Sequence, residues 1–144
     1  MKDPIVTIAE HNKQLLQHVF AELAKGNGKP FTDSLADDVC WVIHGTTAWS
    51  GRYEGRQAVL NRLLKPLFAQ FATTYTNTAQ HFIAEDDRVV VECSGQVTTR
   101  TGKAYNNRYC YVCRLADGKV LELVEYMDTD LLNTALEAPV HVDA

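Results

Sequence analysis

Residues Gly102 to Asp128 read GKAYNNRYCYVCRLADGKVLELVEYMD. Two runs rich in aromatic, β-branched and cysteine residues, Tyr105 to Leu115 and Val120 to Met127, flank Asp117-Gly118. Asp-Gly is a strong signal for a two-residue hairpin turn, so the stretch predicts a long two-strand ribbon. With that turn, Leu115 faces Val120, Val112 faces Leu123 and Cys110 faces Glu125. Tyr109 then faces Tyr126, and Asn107 faces Asp128. Alternation sorts the side chains onto two faces. Arg108, Cys110, Val112, Leu121, Leu123, Glu125 and Met127 share one. Asn107, Tyr109, Tyr111, Cys113, Val120, Val124, Tyr126 and Asp128 share the other. The first face is mostly apolar and carries one carboxylate, Glu125. A carboxylate there is costly unless it is paired, protonated or reached by water. A slip of one residue moves it to the opposite face.

The rest of the chain bounds what this ribbon can belong to. At 144 residues, with 46% hydrophobic and 22% charged residues, one globular domain spanning 1–144 is expected, with a sizeable core. A net charge of −4 argues against nucleic-acid binding through phosphate contacts. The sequence has no basic run and no long apolar span, and its start, MKDPIVTIAEHNK, is too polar for a signal peptide. No membrane partner and a cytoplasmic location are expected. The four cysteines lie in strand-like apolar runs. Cys110 and Cys113 would point to opposite faces of one strand, so they read as small buried hydrophobes.

Before the ribbon, Ile5 to Lys25 carries Ile8, Leu15, Leu16, Val19, Phe20 and Leu23 at helical spacing. Thr7 and Glu10 form a capping-box pattern, and Gly26-Asn27-Gly28 stops the helix. A short helix near Pro30 to Ala36, a turn at Asp37-Asp38, and a strand from Val39 to His44 follow. A loop covers Gly45 to Gly51. A third helix spans Arg56 to Phe71, with Pro66 placed to kink it. Strands are expected over Thr74 to Glu85 and Arg88 to Arg100, separated by Asp86-Asp87. A short helix from Thr129 to Leu136 and a frayed tail from Glu137 to Ala144 end the chain. Three helices followed by antiparallel strands is an α+β signature. A curved sheet wrapping the helices encloses a pocket on its concave side. A sheet with two apolar faces suggests a homodimer through the outer face.

The order of elements, with the segments ADDVCW, GRYEGRQAV, GKAYNN and DGKVLELVEYMD, resembles the cone-shaped fold of the nuclear transport factor 2 superfamily, over nearly the whole chain. That group includes ketosteroid isomerases, SnoaL-like polyketide cyclases, scytalone dehydratases and limonene epoxide hydrolases. Aligned without gaps on limonene epoxide hydrolase through the GKAYN and DGK segments, one catalytic Asp falls on Glu125. Its Arg and second Asp fall on Glu92 and Ser94, and its water-positioning Tyr and Asn on Trp41 and Ile43. One carboxylate is kept and the Arg is lost. The base of ketosteroid isomerase falls near Ile43, beside His44, and its protonated acid falls on Cys110. Neither Asp is present. The chain resembles the SnoaL-like group most, which implies acid–base residues working without a metal or organic cofactor.

On that alignment Glu125 and Glu92 both point into the cone. Two carboxylates in an apolar cavity push their pKa values apart, which makes a proton-transfer pair. The competing reading pairs Glu125 with Arg108 on the same face as a structural ion pair. His44 ends the first strand at the expected mouth and reads either as a base or as a rim residue. Trp41 and Trp49 read as pocket wall and loop cover, with plain core packing the alternative for Trp41. Aromatic walls suit a small apolar ligand. Tyr53 reads as a donor into the pocket or as an ordinary interior tyrosine. Ser94, Arg108, Cys110, Val112 and Leu123 complete the expected lining. Asn107, Tyr109, Tyr126 and Asp128 form a polar–aromatic cluster that suits a dimer interface. His11, His18, His44, His81 and His141 show no zinc spacing, and there is no P-loop and no G-x-G-x-x-G. The expected function is a cofactor-independent acid–base enzyme of isomerase, cyclase or hydratase/dehydratase type acting on a small apolar carbonyl or polyketide-like compound. The reading of another class is a binding module for a small hydrophobic ligand or a protein partner.

Overall fold

The computed structural model describes residues 6–140. Ile5, the first residue of the expected first helix, and residues 141–144 of the expected frayed tail lie outside them. Helix α1, Ile8–Leu23, starts where its cap places it. Thr7 Oγ1 accepts from Glu10 N at 3.1 Å, and Glu10 Oε2 accepts from Thr7 N at 3.4 Å, which satisfies two end donors reciprocally. Helix α2, Lys29–Ser34, has Pro at its start, where a missing N–H costs nothing.

Strand β1, Leu35–Ile43, begins earlier than expected. Asp37 and Asp38 lie within it, beside an irregularity in pairing between Leu35 and Cys40. Gly51–Glu54 forms a strand, β2, between the expected loop and the third helix, where no strand was expected. Strands β3, Thr76–Glu85, and β4, Arg88–Gln96, form one hairpin; β5, Arg108–Ala116, and β6, Lys119–Met127, form another. The sheet order is β2-β1-β6-β5-β4-β3, antiparallel throughout except for the parallel β1–β6 pair. The fold is α+β, with a curved six-stranded sheet wrapped against the N-terminal helices.

The third helix runs from Arg56 to Phe68, and its middle, Val59–Leu64, is π-helical. Lys65 N–H reaches Leu60 C=O, five residues back. Pro66 follows at once. Its missing N–H and bulky ring disfavour a regular α turn there, which accounts for the wide turn just before it.

The ribbon departs from the simplest hairpin at one residue. Asp117 and Gly118 have φ of 51° and 74°, the left-handed pair that a two-residue turn requires. Ala116 pairs with Lys119 and Leu115 with Val120, as expected. Then the register shifts: Arg114 pairs with Glu122, leaving Leu121 as an extra residue on β6. This bulge reverses the phase of everything beyond it. Val112 faces Val124, Cys110 faces Tyr126 and Tyr109 faces Met127, which corrects the sequence-based register. The inward set is therefore Tyr109, Tyr111, Cys113 and Leu115 from β5, with Val120, Leu123 and Glu125 from β6, all buried.

The end of the described chain is held in place. Glu137 O accepts from Trp49 Nε1 at 2.9 Å and from Gln70 Nε2 at 3.0 Å, while Glu137 N donates to Gln70 Oε1. Fraying from Glu137 onward is thus corrected at its first residue.

Candidate functional site

The concave face encloses a cavity of about 390 Å³. Its walls are aromatic and aliphatic: Trp41 and Ile43 from β1, Tyr109 and Tyr111 from β5, and Leu63 from the third helix. Trp41 and Tyr111 meet edge to face at 6.3 Å, and Tyr109 stacks on Tyr111 at 5.4 Å. Such contacts hold the wall in one arrangement. The most exposed lining residues, Lys65 and Phe68, lie on the third helix.

Glu125 is the one ionisable carboxyl in this lining, and it is 5% exposed. The parallel β1–β6 pairing sets Ile43 opposite Glu125 and Trp41 two positions away on the same face. Trp41 Nε1 donates to Glu125 Oε1 at 2.9 Å. No basic side chain pairs with Glu125 among the described residues. Burial disfavours the charged form and pushes its pKa up from 4.5 to about 8; the Trp41 hydrogen bond pulls the other way. The carboxyl is thus poised to hold or release a proton close to neutral pH.

Three tyrosines surround it. Burial holds the hydroxyls of Tyr75, Tyr109 and Tyr111 well above their usual range, and the Glu125 charge adds to the rise. They stay protonated. Tyr75 accepts from Asn77 Nδ2 at 3.1 Å. Gly95 makes room for this pair of rings: a Cβ there would lie 2.7 Å from the Tyr75 hydroxyl and 3.1 Å from the Tyr109 ring. No group of three or more His, Cys, Asp or Glu among the described residues is placed to hold a metal ion.

The chain itself matches a known family. Residues 16–123 match the SnoaL-like domain. The chain belongs to the SnoaL-like domain family, within the nuclear transport factor 2-like superfamily. Solved structures agree with this SnoaL-like domain at the level of fold. A proposed SnoaL-like polyketide cyclase from Jannaschia sp. CCS1 superposes with a TM-score of 0.74 at 18% identity, covering 96% of this chain and 100% of that one. A proposed isomerase from Bacillus subtilis gives 0.74 at 19% identity, covering 90% and 94%. TerC, co-crystallised with polyporic acid, gives 0.72 at 20% identity, covering 86% and 96%. A search of curated protein sequences found no match. No helix among the described residues of the SnoaL-like chain is long and apolar enough to cross a membrane.

The family's cup places the sequence-derived candidates on both sides of its wall. Glu125, Trp41 and Ile43 line the cavity. Leu123 is fully buried on the same inward face but does not line the cavity. Tyr53 is also buried, but its hydroxyl donates to Trp49 O at 2.8 Å and so serves the loop before β2. Glu92 and Ser94 are corrected to the outer face. On β4 the inward phase belongs to Val91, Cys93 and Gly95, so the gap-free alignment was one residue out of step with the sheet. Glu92 is exposed and lies 3.3 Å from His81 Nδ1, and Ser94 donates to Gln80. The proposed pair of inward carboxylates is absent, and burial alone raises Glu125. Arg108, Cys110 and Val112 are corrected to the outer side by the Leu121 bulge, so no Arg108–Glu125 ion pair forms. His44 is exposed and packs against Tyr126 on the outer face, ring centroids 5.1 Å apart.

The polar–aromatic cluster assigned to an interface separates in the same way. Tyr109 lines the cavity. Asn107 is fully buried and ties the two ribbon strands together, donating to Asp128 O at 3.0 Å and accepting from Asp128 N at 3.3 Å. Asp128 caps the C-terminal helix Thr129–Ala135. Tyr126 projects outward, 43% exposed, and Asp128 is exposed as well. Tyr75, Asn77 and Tyr111 are lining residues that the sequence reading did not assign to the cavity. Tyr75 and Asn77 share the alternation phase of Ala79 and precede the expected strand centre, which is the signal that was available.

Proposed function

We propose that this SnoaL-like chain is a cofactor-independent acid–base enzyme, of isomerase, cyclase or dehydratase type, acting on a small apolar carbonyl or polyketide-like compound. The observation that carries the reading is one unpaired carboxyl, held near neutral pKa, inside an apolar cavity of about 390 Å³. As carboxylate, Glu125 takes a proton from a carbon next to the substrate carbonyl; as carboxylic acid it returns that proton at another position. Trp41 fixes one carboxyl oxygen, and protonated tyrosine hydroxyls supply donors to the developing enolate oxygen. The relatives described as a polyketide cyclase and an isomerase, and the one crystallised with polyporic acid, support compounds of this general kind. The enzyme is proposed to work as a cytoplasmic homodimer joined through the outer sheet face, where Ile83 and Tyr126 are exposed. A strictly monomeric mass by light scattering at micromolar concentration excludes that pairing.

The test uses 2-tetralone, a small apolar ketone with acidic α-hydrogens, in heavy water near pH 8. The wild-type chain should speed deuterium incorporation next to the carbonyl, followed by NMR, and Glu125→Gln should abolish the acceleration. Equal rates for the two proteins sink the assignment. The second reading, a binding module without catalysis, is favoured by the absence of a second inward carboxylate. Tight binding of 2-tetralone with no accelerated exchange by the wild type selects it.

A further inference from the structure

The outer face of the sheet carries an ordered pattern. Strand register sets Val42, Val124, Val112, Val90 and Ile83 side by side across β1, β6, β5, β4 and β3. They form one apolar row, and Ile83 at its end is 60% exposed. Two residues along the strands on one side of the row lie Glu122, Arg114, Arg88 and Glu85. Two residues along on the other side lie Tyr126, Cys110, Glu92 and His81. All of these alternate with the inward positions and so face outward. One pairing among them is unfavourable. Arg88 lies directly opposite Arg114. Like charges placed so repel. Neither guanidinium forms an ion pair among the described residues. Glu92, across the apolar row from Arg88 on the same strand, is exposed and has His81 Nδ1 beside it at 3.3 Å.

We infer that this face meets a second copy of the chain about a two-fold axis lying along the apolar row, with Glu92 of each copy set over Arg88 of the other. The inference rests on the outer-face dimer proposed for this enzyme and specifies how the two copies meet. A symmetric pair needs a face that complements itself. Axes parallel to the strands fail this. Centred on β4, β5 or β6, they set Arg88, Arg114 or Glu122 on its own counterpart. Between β4 and β5 such an axis sets Arg88 on Arg114, and between β5 and β6 it leaves Arg88 over Cys40. An axis along the row keeps each strand over its own copy and exchanges the two flanks. The apolar residues then meet themselves. Arg88 comes over the partner's Glu92, beside Arg114, and Glu85 comes over the partner's His81. The carboxylate that the arginine pair lacks in its own chain is supplied by the other copy, at two symmetric places.

Sedimentation velocity at micromolar concentration tests this. The wild type should sediment as a dimer. Arg88→Glu and Glu92→Arg, each alone, should raise the dissociation constant of the dimer about tenfold or more, because each brings like charges together at both places. Mixed in equal amounts, the two variants should recover a dimer. Their altered side chains carry opposite charges, and the native Arg88 of one still meets the native Glu92 of the other. Both positions are exposed, so the fold tolerates the changes, and circular dichroism checks it. A wild type that stays monomeric overturns the outer-face dimer and this inference with it. A dimer that neither variant weakens, or that mixing fails to recover, overturns the Arg88–Glu92 contact and leaves the outer-face dimer standing.

Discussion

Trp41 and Glu125 are 84 residues apart in the chain, and their side chains meet at 2.9 Å because the parallel β1–β6 pair puts both on one face of the sheet. The indole is the one group that favours the charged form of a carboxyl otherwise penalised by burial. Trp41→Phe keeps most of the wall and removes the donor. The Glu125 pKa should then climb further above about 8, by roughly one to two units. Carbon-13 NMR titration of the carboxyl measures this, and an unchanged value shows that the indole does not stabilise the charge.

Glu125 also ties stability to pH, with a definite sign. Its folded pKa lies above the ordinary 4.5, so the folded state holds a proton that the unfolded state releases between pH 4.5 and about 8. Stability from this group is full below pH 4.5, declines through that window and is level above it. Glu125→Gln removes the decline. Relative to the wild type it should gain on the order of 4–5 kcal/mol between pH 4.5 and 8.5. Urea unfolding of both proteins at the two pH values checks it. A constant difference would mean that the carboxyl ionises as freely folded as unfolded.

Gly95 is where β4 yields space to the aromatic wall. Gly95→Ala puts a methyl 2.7 Å from the Tyr75 hydroxyl and 3.0 Å from its ring, so the ring has to move. A cost of about 1–3 kcal/mol is expected, as for other overpacked cores. Binding of 2-tetralone should weaken with it, since the Tyr75 ring lines the cavity. Wild-type stability and affinity in the variant would show that the ring has free room behind it.

Glu92 and His44 sit outside the cup, in contact with His81 and Tyr126 respectively. Glu92→Gln and His44→Ala should leave both the Glu125 pKa and the rate of 2-tetralone exchange at wild-type values. A drop in exchange with either variant would put a catalytic group on the outer face and contradict the geometry.

Much of this architecture was legible from short-range signals. The capping box at Thr7 and Glu10, the stop at Gly26, the Asp117-Gly118 turn and the three apolar-striped helices each depend on residues a few positions apart. The acid at position 125 stood out for the same reason, as a charge within an apolar strand. The Leu121 bulge left a faint trace: Val120-Leu121-Glu122-Leu123 is apolar in both phases, which breaks strict alternation. Strand β2 left none, because its four residues form a strand only by pairing with β1.

The sequence by itself determined the elements, their order, the family and the presence of one misplaced carboxylate, since all of these follow from local pattern. Tertiary structure decided which side chains meet. A single extra residue on β6 inverted the phase of the ribbon, turning Tyr109 and Tyr111 inward beside Glu125 and sending Arg108 and Cys110 out. Side chains on a strand alternate with a period of two, so one bulge reassigns every position beyond it. Whether a bulge forms depends on the neighbouring strands' pairing and packing, which the chain brings together only once it has folded.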